Sequence, residues 1–223
     1  MSEELAKLYC SSLDEVRMRL TLIRSVCNGS LSAGSEIFNY EIASVNLRKC
    51  LELIAFGSLT ANKDVYASMH AKFEEHWRAK RILENLEKIH PDYYPIALLT
   101  PVISSETPRN VHFELETQGF LTRNEFVELY DLCSKVIHSR NPFEVQTTIN
   151  FRLSVSEWTN KIETLLRFHR FQLAGVPYIW VGELYGLNDG KAHVYIASQY
   201  KLRYNNQPVN FMPTPLPPNY HYN

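Results

Sequence analysis

Residues 42–56 restrict the fold of this chain more than any other segment. Written on a helix, their apolar side chains nearly encircle the axis: Ile42, Ala43, Val45, Leu47, Cys50, Leu51, Leu53, Ile54 and Phe56. A helix that is apolar on most sides is normally buried by its neighbours. The segment belongs to a helix that opens at Ser35 and runs to about residue 61, and we expect this helix to be the centre of a bundle.

Four amphipathic helices accompany it. Pairs with the spacing of a capping box, in which Glu follows Ser or Thr by three residues, indicate three of their starts: Ser12 with Glu15, Thr122 with Glu125, and Ser154 with Glu157. The remaining helix follows a break at residues 62–64 and stops at about residue 89, before Pro91. The last helix is expected to reach about residue 173. The predicted fold class is therefore mainly α, an antiparallel bundle of about five helices.

The C-terminal part has a different texture. Two alternating segments, PYIWVGELYG and KAHVYIASQY, flank a turn with Asn188, Asp189 and Gly190, which predicts a β-hairpin. We therefore divide the chain into a helical bundle over residues 1–175, a hairpin over 176–200 and a tail over 201–223. Residues 91–121 contain four prolines and little periodicity, so we interpret them as an irregular insertion in which 111–115 is a short strand. The Pro- and Asn-rich tail is predicted to be extended or disordered.

The composition limits the function classes. The chain has 223 residues, 45% of them hydrophobic, and a formal net charge of −1, so no overall positive field favours non-specific DNA binding. No cationic leader or apolar run of membrane-spanning length is visible. The four cysteines are widely spaced within helical patterns, and we expect a reduced, cytoplasmic protein that makes no membrane contact. Nucleotide-loop and catalytic signatures are absent from the sequence, and no cofactor is predicted.

The most suggestive motif is LYDLCSKVIHSRNPF, residues 129–143, where a helix ends among hydrogen-bonding side chains. His138 and Lys135 lie beside the apolar stripe of this helix and not within it. One interpretation is that His138 and Arg140 only cap the last carbonyls, with Asn141 before the proline. The other is that His138, Arg140 and Asn141 bind a ligand, since an arginine fork suits phosphate or carboxylate.

Three other polar patterns are weaker. Arg48 and Glu52 have the spacing of an ordinary helical ion pair, although a buried Arg48 would need a partner or an anion. The cations of residues 78–81 are interleaved with Glu side chains, which indicates a solvated face. His70 and Glu74, with His76 nearby, supply two metal ligands without a third, so no metal site is predicted.

The LRKCLELIAFG and VIHSRNPF segments, on long antiparallel helices, resemble those of the HEPN superfamily. They also resemble a group of uncharacterised bacterial proteins with a C-terminal hairpin. The resemblance covers roughly residues 10–60 and 120–175. It implies a role in defence or mobile-element systems, and many HEPN proteins are dimeric RNases whose motif places an arginine five to seven positions before a histidine. None of the eight histidines here has such an arginine, so the catalytic arginine has no counterpart.

Two functional hypotheses follow. The first is a non-catalytic or degenerate HEPN-like module that binds nucleic acid, a nucleotide or a partner protein through His138, Arg140, Asn141 and Arg48. The alternative is a divergent metal-independent RNase, with His138 as general base and Lys135 as the cation that stabilises phosphorane charge. A homodimer is also predicted, because the hairpin region carries much aromatic surface: Tyr178, Trp180, Tyr185, Tyr195 and Tyr200.

Overall fold

A computed structural model describes eight stretches of the chain: residues 3–70, 78–90, 92–103, 111–138, 153–172, 178–186, 189–199 and 210–214. Within them the fold is mainly helical, with an antiparallel sheet. The helices are α1 (Glu3–Cys27), α2 (Glu36–Ala61), α3 (Lys63–Met69), α4 (Ala79–Ile89), α5 (Arg123–Ile137) and α6 (Val155–Arg167). None of them is long and apolar enough to cross a membrane.

Helix α2 is the central helix, as the apolar residues 42–56 predict. It contacts α1, α3, α4, α5 and α6. Leu47, Cys50, Leu51 and Ala55 are completely buried, whereas Val45 is 41% exposed. The all-round apolar pattern therefore identifies the core of the bundle correctly, although one side of α2 reaches solvent at Val45.

Local capping signals locate two helix starts accurately and one wrongly. Thr122 and Ser154 form complete capping boxes with Glu125 and Glu157 at the starts of α5 and α6. Ser12, in contrast, lies inside α1, where its hydroxyl donates to the carbonyl of Leu8 at 3.1 Å. A serine that bonds back to the preceding turn satisfies its own polarity without ending a helix, so the Ser12–Glu15 spacing is not a helix start.

Two helix boundaries differ from the sequence prediction. The expected helix to residue 89 is present as α3 and α4, and residues 71–77 between them lie outside the described stretches. The helix expected to reach about residue 173 ends at Arg167, and the chain continues as strand β4 (Phe168–Gln172). Pairing of β4 with a strand that follows it in the chain overrides its helical periodicity, since strand formation depends strongly on tertiary context.

The predicted hairpin is part of a seven-stranded antiparallel sheet with the order β1-β4-β5-β6-β7-β3-β2. Strands β5 and β6 pair from Tyr178 with Ser198 to Glu183 with His193. The 91–121 segment contributes short strands, including one at the expected 111–115 position, and part of the C-terminal tail forms a strand that pairs with β6 on one side and with β3 on the other. The remaining bounds are β1 (Ile96–Ala97), β2 (Val102–Ile103), β3 (Val111–His112), β5 (Tyr178–Glu183), β6 (His193–Gln199) and β7 (Asn210–Thr214).

Helices and sheet share the larger of two hydrophobic clusters. Trp158 of α6 and Trp180 of β5 are among its largest fully buried side chains, and the ring of Trp180 lies 5.5 Å from that of Tyr9 in α1. The hairpin thus buries Trp180 against its own helices, which is the simpler alternative to burial in a dimer. Tyr195 is 41% exposed, and its hydroxyl donates to Glu183 at 2.9 Å. Homodimerisation stays a prediction, with less aromatic surface to motivate it.

Candidate functional site

A cleft of about 620 Å³ lies between helices α2, α4 and α5. Five of its lining side chains carry permanent positive charge and one carries negative charge. The lining residues are Arg48, Arg78, Lys80, Arg81, Glu84, Asn85, Lys88, Tyr130, Ser134 and His138. Because the whole chain is close to neutral, this cleft concentrates positive charge that the overall composition conceals.

Helix α5 supplies one wall. Its apolar side, including Phe126, Leu129 and Cys133, is completely buried. Tyr130, Ser134 and His138 follow one another at intervals of four residues, so they form a row on one face of the helix. His138 is the residue at which the helix ends, with φ −89° and ψ 135°, and it is exposed. The end of α5 therefore presents an imidazole at the cleft.

Helix α4 supplies the opposite wall. Like α5, it buries an apolar face and turns a polar face towards the cleft. Ala79, Ile82, Leu83 and Leu86 are buried, and the exposed positions include Arg81, Glu84 and Lys88. The side-chain amide of Asn85 donates to the hydroxyl of buried Tyr66 at 3.1 Å. Burial of the apolar face fixes the helix, and its cationic side chains consequently line the cleft.

The guanidinium of Arg48, in α2, has three hydrogen-bond partners and one aromatic partner. It donates to Glu52 at 3.2 Å, to the Tyr130 hydroxyl at 3.0 Å and to the Ser134 hydroxyl at 2.5 Å. Its central carbon lies 4.5 Å from the centre of the Tyr130 ring, a cation–π distance. The side chain is only 17% exposed. Arg48 thus has the partner that its burial requires, and it ties α2 to α5.

Lys80 makes the second ion pair of the cleft. Its ammonium donates to both carboxylate oxygens of Asp131 at 3.0 Å, which joins α4 to α5. Arg81 and Lys88, by contrast, have no carboxylate partner among the residues that the structure describes. The cleft therefore contains both neutralised and available cations.

The structure brings together two of the site residues predicted from the sequence, Arg48 and His138. Lys135 is exposed on α5 but does not line the cleft. Arg140 and Asn141 lie outside the described stretches. In those stretches His138 makes no hydrogen bond, so its side chain does not cap the last carbonyls of α5.

The sequence interpretation missed the contribution of α4. Its cations were assigned to a solvated face because glutamates alternate with them. The signal that identifies them is spacing: Arg81 and Lys88 are seven residues apart and therefore lie on the same side of a helix. That side is adjacent to the α5 row only because both helices pack on α2, which no local pattern reveals.

Within the described stretches, the residues around this site offer neither a reactive thiol nor a cluster of metal ligands. Burial raises the pKa of the Cys133 thiol, next to the cleft, to about 12, and the positive charge of Arg48 only partly opposes the shift. Among the described residues no three His, Cys, Asp or Glu side chains are arranged to hold a metal ion. Glu74 and His76, the other members of the weak metal pattern, lie outside these residues.

Comparisons with known proteins provide no relatives. No family model, no curated protein and no solved structure matches the chain.

Proposed function

We propose that the cleft between α2, α4 and α5 binds nucleic acid through its phosphates without cleaving it. The observation that carries the proposal is the set of five permanently positive lining residues, of which Arg48 and Lys80 are paired with carboxylates outside the lining, while Glu84 is the acidic residue of the lining. Phosphate contacts by Lys and Arg supply most of the affinity of non-specific nucleic-acid binding. A net charge of −1 for the chain means that this attraction is local to the cleft.

The distribution of cations favours a polymer over a mononucleotide. Arg81 and Lys88 are separated by seven residues of helix, which corresponds to about 10 Å along the axis. Phosphates of one stacked strand follow each other at about 3.4 Å along its axis, so these two side chains span about three of them. A partner protein would more often be recognised by an apolar centre, whereas this cleft is lined mainly by polar and charged side chains.

The cleft offers little for base recognition. Tyr130 is the single aromatic residue among its lining side chains, apart from the imidazole of His138, and one face of the Tyr130 ring is covered by Arg48. Base stacking on exposed aromatic rings is therefore limited, and direct reading of bases requires free donors and acceptors. We infer binding that depends on the phosphate backbone and only weakly on sequence.

A HEPN-like relationship remains part of this proposal. It is supported by a helical core in which the helix ending at His138 borders a basic cleft. The second candidate function is metal-independent RNA cleavage. The specific observation in its favour is that His138 lines the same cleft as three arginines, of which Arg81 is able to stabilise phosphorane charge in place of the arginine missing from the motif.

Fluorescence anisotropy with labelled RNA tests the binding proposal. Wild-type protein is compared with an Arg81→Gln/Lys88→Gln variant at 50 and 200 mM salt. With about three phosphate contacts, the wild-type dissociation constant should rise roughly twentyfold over this range, and the variant should bind weakly with a flatter salt dependence. The matched control is Arg17→Gln/Arg167→Gln, which removes two positive charges from α1 and α6, helices that do not line the cleft.

Equal loss of affinity in both double variants would show that the cleft is not the binding site. Cleavage is tested separately by incubating RNA with each protein in the presence of EDTA. We expect intact RNA. Cleavage by wild-type protein that is lost in His138→Ala would establish the RNase instead.

A further inference from the structure

The cations of the cleft differ in what an arriving phosphate must displace. Arg81 and Lys88 have no carboxylate partner in the part of the chain that the structure describes. Lys80, adjacent to Arg81 in sequence, has both oxygens of Asp131 at 3.0 Å. A phosphate can therefore reach Arg81 or Lys88 directly, whereas contact with Lys80 requires the Asp131 carboxylate to leave.

The Lys80–Asp131 pair is suited to such an exchange. The Lys80 side chain is 33% exposed and that of Asp131 is 51% exposed, and ion pairs this accessible to water contribute little stability. The Arg48–Glu52 pair is different. Its members are 17% and 14% exposed, and Arg48 has two further hydroxyl partners. Lys80 is thus the paired cation of the cleft that a ligand can recruit, while Arg48 stays a structural link.

We propose that Asp131 acts as a resident competitor that makes the cleft selective for chains of several phosphates over single phosphates. The inference rests on the proposed function. A lone phosphate competes with Asp131 for Lys80 only at the concentration of free phosphate in solution. A chain already held by Arg81 and Lys88 presents its next phosphate to Lys80 at a much higher effective concentration, as in any multivalent interaction. Displacement of Asp131 then adds Lys80 to the phosphate contacts.

The test replaces Asp131 by Asn, which keeps the shape of the side chain and removes its charge. The probes are a labelled ten-nucleotide RNA, measured by anisotropy, and adenosine monophosphate as its competitor. Asp131→Asn should bind the RNA about three- to fivefold more tightly, with a salt slope close to that of the wild type, because Lys80 contacts phosphate in both proteins. The monophosphate should gain more than the RNA, because Lys80 becomes a site that it can occupy without displacing a carboxylate, whereas the RNA already recruits Lys80 in the wild-type protein.

Two further variants make the result specific. Glu4→Gln makes the same change of charge on α1, which does not line the cleft, and it should leave the affinity within about twofold of wild type. Adding Lys80→Gln to Asp131→Asn should abolish the gain, since the released cation is gone. Melting temperatures check that each variant is folded.

The outcomes separate the two proposals. If folded Asp131→Asn binds RNA with unchanged or weaker affinity than a wild-type protein that does bind it, the competitor role is wrong and the cleft function stands. The same conclusion follows if the gain persists in Lys80→Gln/Asp131→Asn. If neither wild type nor Asp131→Asn binds RNA even at low salt, the proposed function itself is wrong.

Discussion

Two regions of this molecule concentrate polar side chains, and they differ in partners and in space. Where α1 meets the sheet, the Tyr9 hydroxyl is hydrogen-bonded to Nε2 of His169, and Nδ1 of His169 donates to the Leu166 carbonyl at 2.9 Å. Both side chains are almost completely buried, and the adjoining cavity, of about 10 Å³, is at the lower limit for a water molecule. The cleft, in contrast, is open, and two of its cations, Arg81 and Lys88, have no carboxylate partner among the described residues.

The two regions show that burial and completed hydrogen bonds decide whether a titratable group is structural or available to a ligand. A buried polar pair whose hydrogen bonds are complete holds elements together, and the residues around it must leave room for it. Gly182 shows this: it pairs with His169 across β5 and β4, and a Cβ added there would lie 2.4 Å from the imidazole. Cations in an open cleft have no such constraint, and a ligand can satisfy them.

The largest effect on stability is expected from Gly182→Ala at the buried junction. The new methyl group overlaps the His169 ring, which cannot move without losing its bonds to Tyr9 and Leu166. We expect a loss of roughly 3 kcal/mol in the free energy of unfolding, at the upper end for an overpacked core, measured by urea denaturation. Gly57→Ala is the comparison. Its Cβ would lie 2.8 Å from the Tyr9 ring, and improved helix propensity offsets part of the cost.

If Gly182→Ala unfolds with the same midpoint as wild type, the junction around His169 is loosely packed. The distinction between an enclosed region and an open one would then lose its physical basis.

A second, smaller effect is expected on acidification. Burial lowers the pKa of His169 to about 4, although the hydrogen bond to the Leu166 carbonyl opposes the shift, while the unfolded chain titrates near 6.5. Between these values the unfolded state binds more protons than the folded state. The stability from this group is therefore complete above pH 6.5 and is lost as pH falls towards 4. From pH 7.5 to 5 the loss should be about 2 kcal/mol.

Urea titrations of a matched pair of variants check this dependence. His193→Gln, at a half-buried position on β6, should show the same loss of stability between pH 7.5 and 5 as the wild type. His169→Gln should be less stable than the wild type at pH 7.5, but its stability should no longer fall by this amount on acidification. A wild-type stability that does not change between pH 7.5 and 5 would mean that His169 is accessible to protons in the folded state.

The fold was predictable wherever the signal is local. The apolar segment 42–56, the caps at Thr122 and Ser154, and the pairing of β5 with β6 each depend on residues close in sequence, and each is present. Strand β4 was not predictable, because its residues extend the helical pattern of α6 and its pairing partner β5 lies beyond it in the chain. The short strands β1, β2 and β3 are only two residues long and carry no periodicity of their own.

The site was predictable only in part, for a related reason. His138 stands out because it belongs to a cluster of polar residues at a helix end. Arg48 stands out because it is a charged residue on a mostly apolar helix. Arg81 and Lys88 do not stand out in this way, since alternating charges on a helix normally face solvent. Arg81 and Lys88 become part of a site only because α4 and α5 pack on α2, which places the polar faces of α4 and α5 around one cleft. A helical wheel shows on which face of a helix a residue lies, but it does not show which other helix lies next to that face.

The smallest effect on stability, and the most informative about the cleft, is expected from His138→Ala. His90 is its natural control, since each histidine stands directly after the last residue of a helix, α4 or α5. Nε2 of His90 donates to the Gln172 carbonyl at 3.0 Å, whereas His138 is exposed and makes no hydrogen bond within the described stretches. Loss of a hydrogen bond costs about 1 kcal/mol, while a surface change without one stays within about 0.5 kcal/mol.

We therefore expect opposite profiles for the two substitutions. His90→Ala should lower the melting temperature and leave RNA affinity unchanged, because His90 does not line the cleft. His138→Ala should leave the melting temperature nearly unchanged and weaken RNA binding by a fewfold, since it removes a hydrogen-bonding ring from the cleft wall. A His138→Ala protein that melts lower than His90→Ala and binds RNA like wild type would return His138 to a purely structural role, and RNA binding would then depend on the cations of α4.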